Sequence, residues 1–209
     1  LMDLGIPIIP GSDDILSSSD MACKVADTVG YPVILKAAGG GGGRGMRIAS
    51  NKEELITAFS IASGEAKIAF GNPDIYLEKY IEKPRHIEIQ ILGDHFGNYI
   101  HLAERECSIQ LRYQKLIEES PSSFVDENFR VKLGKTAIRI AKAFDYTNAG
   151  TMEFLVDKNK NFYFMEVNAR VQVEHPVTEL VTGVDIVQQQ ILIAAGEKLD
   201  LKQEDIHLN

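Results

Sequence analysis

Two periods run through the hydrophobic and polar positions of this chain, and together they divide it into elements. In "RHIEIQIL" His86, Glu88 and Gln90 alternate with Ile87, Ile89 and Ile91, the pattern of a half-buried strand. In "FMEVNARVQVEHPV" Glu166, Asn168, Arg170, Gln172 and Glu174 alternate with Val167, Ala169, Val171 and Val173, which predicts an extended segment with five polar side chains on one face. Further strands are predicted in "YPVILKAA", around Met46 to Ala49, in "DIYLEKYI" and in "YIHLAERE". "AGTMEFLV-DKNK-NFYFMEVN" reads as a β-hairpin. Helical spacing marks Ser19 to Val29, closed by Gly30, and a helix that Asn51 and Glu54 open as a capping box and that runs to about Ala69. It recurs from Glu127 to Phe144 and from Asp185 to Ala195, before Gly196. Cys107 to Phe124 has no clean period and is expected to be an ordered loop. Strands, helices and antiparallel hairpins in this mixture predict an α+β fold.

The chain has 209 residues, 44% of them hydrophobic, enough for one large domain or two small ones with real cores. No run of 18 apolar residues occurs and the start lacks the pattern of a secretion signal, so no membrane association is expected. "LMDLGIP" reads like a helix entered halfway, as expected of a piece of a longer protein. With 22 Lys plus Arg against 30 Asp plus Glu the net charge is −8, which argues against nucleic acid as a partner of the whole surface. Cys23 and Cys107 form no CxxC pair and suit a reducing, cytoplasmic setting.

"AAGGGGGRGMR" contains GxGxxG at Gly40, Gly42 and Gly45, yet "MRIAS" after it reads as a returning strand rather than a helix. A dinucleotide turn needs a helix N-terminus there, and a Walker A loop needs GK[ST]. What remains is a strand–glycine–strand flap whose bare amides suit phosphates, with Lys36 at its base. A flexible linker is the alternative.

In the acidic hairpin, a two-residue turn at Asn159 and Lys160 pairs Lys158 with Asn161 and, continuing, Leu155 with Phe164 and Glu153 with Glu166. Opposed carboxylates about 5 Å apart repel by about 3 kcal/mol at an effective dielectric near 20. A cation between them, a shared proton or nearby lysines relieve that. With Asn168 continuing the same face, an oxygen-rich set lacking Cys and His favours Mg²⁺ or Mn²⁺ over zinc. A phosphate flap with magnesium points to a nucleoside triphosphate; a solvated acidic face is the plain alternative.

"YPVILKAAGGGGGRGMR", "YLEKYIEKPRHIEIQILGD", "ERECSIQ", "QKLIEESPS" and "MEVNARVQVEHPVTE" together resemble the ATP-grasp core of biotin carboxylase, with "EHPVTE" closest to the acyl-CoA carboxylase type. The resemblance implies ATP held between a glycine-loop lid, about residues 8–80, and a larger antiparallel-sheet subdomain, 81–209, with 1–7 the tail of a preceding domain. It implies ATP contacts from Lys36, Gly41, Gly42, Gly43, Met46, Glu78, Lys79, Ile81, His86, Gln110 and Leu155, and metal ligands Glu153, Glu166 and Asn168. It places bicarbonate at Lys115, Arg170, Gln172, Val173 and Glu174, with Glu174 the general base and Lys115 and Arg170 neutralising the gathered anions.

The implied reaction has bicarbonate attack the γ-phosphate of ATP to give carboxyphosphate, whose CO₂ carboxylates biotin on a carrier protein or domain. A carboxyltransferase partner and a homo-oligomeric parent are implied as well. "QLRYQK" departs from the family's usual "QRRHQK" or "QRRNQK", so Leu111 stands for an arginine and Tyr113 for a histidine or asparagine. The competing readings are a carbamoyl-phosphate-synthetase-like or other ATP-grasp ligase, which "VQVEHPVTE" disfavours, and a piece that binds nucleotide without turnover.

Overall fold

The computed structural model describes residues 4–40 and 45–209. The chain forms two compact units: Ile9–Glu82 with Arg112–Gln114, and Leu1–Ile8 with Lys83–Leu111 and Lys115–Asn209.

The small unit is a three-stranded antiparallel sheet backed by two helices. Helix α1 (Ser19–Val29) opens on Ser18, whose side chain accepts the Met21 N–H, and closes on Gly30 at φ 78°. Strands β1 (Val33–Ala37), β2 (Met46–Ala49) and β3 (Ile75–Lys79) lie in the order β2-β1-β3. Helix α2 (Lys52–Phe70) begins with the reciprocal Asn51–Glu54 bonds that the sequence signals. Val33, Leu35, Ala37, Ile75 and Leu77 turn inward with Leu55, Ala58, Ala62 and Ala66 of α2. The period of two then leaves Ile34, Lys36, Tyr76 and Glu78 on the helix-free face.

The large unit is a five-stranded sheet, β6-β5-β4-β7-β8, made of β4 (Arg85–Gly93), β5 (Tyr99–Leu111), β6 (Gln114–Glu119), β7 (Asn148–Val156) and β8 (Phe162–Asn168). Helix α3 (Glu127–Ala143) covers one face, where Ile87, Ile89, Ile91, Met152, Phe154 and Phe162 pack on Phe129, Leu133 and Ile140. The other face is apolar at one end, where Leu92, Ile100, Leu102 and Ala149 meet Ile186 and Ile193 of helix α5 (Ile186–Ala194). At its other end it is polar.

Three sequence expectations need correction. Cys107–Glu119 is not a loop: β5 runs on to Leu111 and β6 returns through a turn at Arg112 and Tyr113, both at positive φ (50° and 67°). Turns of that kind normally carry Asn-Gly, so the signal was absent. "FMEVNARVQVEHPV" is extended only to Asn168; a loop follows, and helix α4 (His175–Thr182) starts at Glu174 with Pro in its first turn, the place a helix tolerates it.

The acidic hairpin turns over three residues rather than two. Asp157 N donates to Asn161 O and Lys160 takes φ 61°. Leu155 therefore faces Tyr163, and Phe154 faces Phe164, yet Glu153 still faces Glu166, because a bulge at Met165 shifts the register back by one.

Candidate active site

On the helix-free face of the small unit, Lys36 Nζ lies 2.5 Å from Glu78 Oε2, and Met46 is the cross-strand neighbour of Lys36. Lys79 turns to the other side, where its ammonium caps α1 by donating to the carbonyls of Gly30 (2.9 Å) and Tyr31 (2.7 Å), so only its backbone remains for a ligand. Ile81 follows two residues after β3. Gly41, Gly42 and Gly43 lie outside the described residues.

The polar end of the large sheet collects most of the remaining candidates. His86 and Glu88 on β4 stand beside Leu155 and Glu153 on β7 as direct cross-strand pairs. Lys115, carried in by β6, donates to Glu88, to Glu153 Oε1 (2.9 Å) and to Glu174 Oε1 (2.6 Å). The acids therefore surround an ammonium. Burial works against the charge on Lys115, but the Glu88 carboxylate, the hydrogen bonds to Glu174 and Glu88 and the charge of Glu153 outweigh it, so its pKa rises well above a free lysine's.

Burial likewise pushes Glu153 upward. Contact with His86 and the charge and hydrogen bond of Lys115 overcome that and hold its carboxyl at about 2. Glu174 follows the same logic: burial raises it, and the bond from Lys115 then brings it below an ordinary carboxyl. Gln110 Nε2 donates to Cys107 O (2.8 Å) and lies 3.0 Å from His86 Nδ1, while His86 Nε2 lies 2.9 Å from Glu153 Oε2.

Asn168 Nδ2 reaches Glu153 Oε1 at 2.9 Å and Glu166 Oε1 at 3.3 Å, so all three expected metal ligands converge. Two opposed carboxylates with a neutral amide fit a hard divalent cation by donor chemistry. Two other groups, His86–Glu88–Glu153 and Glu88–Cys107–Glu174, also bring ligand atoms within 4.8 Å of one another. There Lys115 already supplies positive charge, and burial pushes the Cys107 thiol far up, away from the thiolate a metal needs.

Gln172 is buried and its Nε2 donates to Glu153 Oε1 at 2.8 Å. Arg170 is exposed, bonded to Val171 O and Asn168 Oδ1, and Val173 is 92% exposed. The five polar residues of the alternating stretch thus meet in one region, though a loop and a helix start deliver the last three. Leu111 and Tyr113 are both exposed.

Two buried residues were missed from the sequence. Glu88, fully enclosed, joins Lys115 to Arg105, and Arg105 is itself at 0% exposure. The signal for Glu88 was its shared face with His86 in an isoleucine-rich strand. For Arg105 it was a charge amid the apolar residues of "LAEREC".

A helix-backed small sheet carrying Lys36 and a larger antiparallel sheet with an acid–amide–lysine cluster define an ATP-grasp fold. The chain belongs to the family described as carbamoyl-phosphate synthase L chain, ATP binding domain, whose model matches residues 1–202. Biotin carboxylases are among the relatives it resembles. The chain is 55% identical over 203 residues to biotin carboxylase 1 of Bacillus subtilis, covering 97% of this chain and 45% of that protein. It is 55% identical over 205 residues to the 2-oxoglutarate carboxylase small subunit of Hydrogenobacter thermophilus, covering 98% and 43%. Among solved structures, the biotin carboxylase β,γ-ATP complex of Campylobacter jejuni matches with TM-score 0.93 at 56% identity, covering 100% of this chain and 46% of that one. The biotin carboxylase domain dimer of the H. thermophilus enzyme, with MgADP, ADP and bicarbonate, matches with TM-score 0.94 at 54% identity, covering 100% and 46%. The chain thus spans a little under half the length of these relatives.

Proposed function

We propose that this chain is the ATP-binding catalytic core of a biotin carboxylase, which uses ATP and bicarbonate to carboxylate biotin on a carrier protein or domain. The observation that carries the reading is Lys115 held between Glu174 and Glu153, on the face where Glu166 and Asn168 converge. Lys36, Met46, Glu78 and the backbone of Lys79 and Ile81 serve nucleotide binding in the small unit, with the glycine loop as its phosphate lid; His86, Gln110 and Leu155 do so in the large one. Glu153, Glu166 and Asn168 would hold Mg²⁺ or Mn²⁺, which when bound supplies positive charge against the triphosphate.

Bicarbonate meets Lys115, Arg170, Gln172 and the backbone at Val173, with Glu174 beside Lys115. Glu174 is ionised at neutral pH, because Lys115 holds it so. It becomes an effective base as Lys115 transfers its hydrogen bonds to the incoming anion, since losing that cation raises its proton affinity. Deprotonated bicarbonate then attacks the γ-phosphorus and ADP leaves; the carboxyphosphate splits into CO₂ and phosphate, and CO₂ bonds to the biotin ureido nitrogen as that nitrogen gives up its proton to the phosphate.

A biotinylated carrier and a carboxyltransferase are the partners this reaction requires, and an oligomeric parent accords with the dimer described for the H. thermophilus relative. We also propose a cytoplasmic setting, with which the free thiols of Cys23 and Cys107 accord; among the described residues no helix is long and apolar enough to cross a membrane.

The test is ATP cleavage by the full-length parent with and without bicarbonate and free biotin. Stimulation by both is expected. Cleavage indifferent to bicarbonate would sink the reading.

A further inference from the structure

Arg105 is fully buried in mid-sheet, where an unpaired guanidinium is costly. It has five N–H donors, and five acceptors meet them. Nε donates to Glu88 Oε1 at 2.5 Å, Nη1 to Gln90 Oε1 (2.8 Å) and Thr178 Oγ1 (2.9 Å), and Nη2 to Thr151 Oγ1 (3.2 Å) and Gln172 Oε1 (3.0 Å). These partners come from β4, β7, α4 and the loop that leads to Glu174.

A guanidinium donates and never accepts. Whichever atom of the Gln172 amide faces it must therefore be the oxygen, which puts the NH₂ on the opposite side, where Glu153 Oε1 accepts it at 2.8 Å. The flipped amide would set NH₂ against guanidinium and carbonyl against carboxylate, two repulsive contacts at once. Glu88 is divided in the same way: one oxygen is committed to Arg105 and the other is left to Lys115.

We propose that Arg105 is a positioning residue, a polarity lock that makes Gln172 present its N–H donors to the site while it leaves the second Glu88 oxygen to Lys115. Its ligand-side consequence is selectivity for an anion, because the edge of Gln172 turned away from Arg105 is then always a donor. The functional arm rests on the bicarbonate reading given above; the structural arm does not.

Arg105→Lys keeps the charge but cannot span five fixed acceptors from one nitrogen. In the 209-residue chain, the side-chain amide NMR signals of Gln172, assigned by their loss in Gln172→Met, should be dispersed in the wild type and move to free-glutamine positions in Arg105→Lys. In the full-length parent, Arg105→Lys should raise the KM for bicarbonate about 10- to 100-fold, the weight of a charge-assisted hydrogen bond, and leave the KM for MgATP within about twofold. Added to Gln172→Met, it should raise the bicarbonate KM little further, because both act through one amide.

Unchanged Gln172 signals in a folded Arg105→Lys protein would overturn the proposal, as would equal rises in both KM values. If Arg105→Lys does not fold, neutron diffraction from wild-type crystals decides: deuterons on the Gln172 atom facing Arg105 would refute the lock. A parent that cleaves ATP without regard to bicarbonate defeats the functional reading alone, and the amide signals still judge Arg105.

Discussion

Lys115 touches three carboxylates at once, and it helps to hold those of Glu153 and Glu174 below an ordinary carboxyl's range. Glu174→Gln keeps size and hydrogen-bonding capacity but removes the base. In the parent it is expected to cut bicarbonate-dependent ATP cleavage by about 10²–10⁴-fold while MgATP affinity changes little. Rate and binding measured on one preparation check this; a wild-type rate would remove Glu174 from the mechanism. The same cluster makes stability depend on pH. Glu153 titrates at about 2 in the folded chain against an ordinary 4.5, so its contribution is fully present above 4.5 and is lost as pH falls toward 2. That shift is worth roughly 3 kcal/mol. Melting curves between pH 6 and 2 should therefore fall more steeply for wild type than for Glu153→Gln. Lys115 acts at the other end: its raised pKa stabilises the fold below an ordinary lysine's value, and the contribution fades only in strong alkali.

At the scale of elements, helix α3 lies close on β5 because Gly134 has no side chain. A Cβ there would come 2.2 Å from His101 Nε2. Burial lowers the pKa of His101, whose ring would have to move aside. Gly134→Ala gains up to about 1 kcal/mol of helix propensity. Overpacking of about 1–3 kcal/mol opposes that, and a net loss of stability is expected in denaturant titration. The β7–β8 hairpin depends on count rather than composition. Deleting Met165 removes the bulge and makes Glu166 follow Phe164 directly, on the opposite face from it and still facing Glu153, so the metal pair and the fold should both survive, as metal titration and circular dichroism will reveal.

This hairpin also marks how far the sequence could be read. Alternation placed Glu153 opposite Glu166, but by a two-residue turn that does not exist; the three-residue turn and the bulge are offsetting single-residue shifts, and alternation sees only their sum. Helices α1 and α2 were legible nearly to the residue because Gly30 and the Asn51–Glu54 pair carry local chemistry. Helix α4 was not, since Glu174 makes no side-chain cap and the valines before it imitate a strand. The Arg105 network was invisible for another reason: its partners are scattered from Glu88 to Thr178, and only the folded sheet gathers them.

Over the whole molecule, the small unit is spliced into the large one. Ile8 bridges to Phe164 and Pro7 O accepts the Phe164 N–H, so the strand edge at β8 is completed by residues that precede the small unit altogether. On a ribosome this sets an order of events. By the time Glu119 has cleared the exit tunnel, everything in the small unit has emerged, its three strands and two helices already adjacent in the chain. The large sheet must wait for Asn168, several seconds later at roughly 5–20 residues per second, a long time against the folding of a small domain. Nascent chains stalled after Glu119 should therefore yield a protease-resistant piece covering the small unit alone, with residues 4–8 still open to cleavage until Phe164 appears.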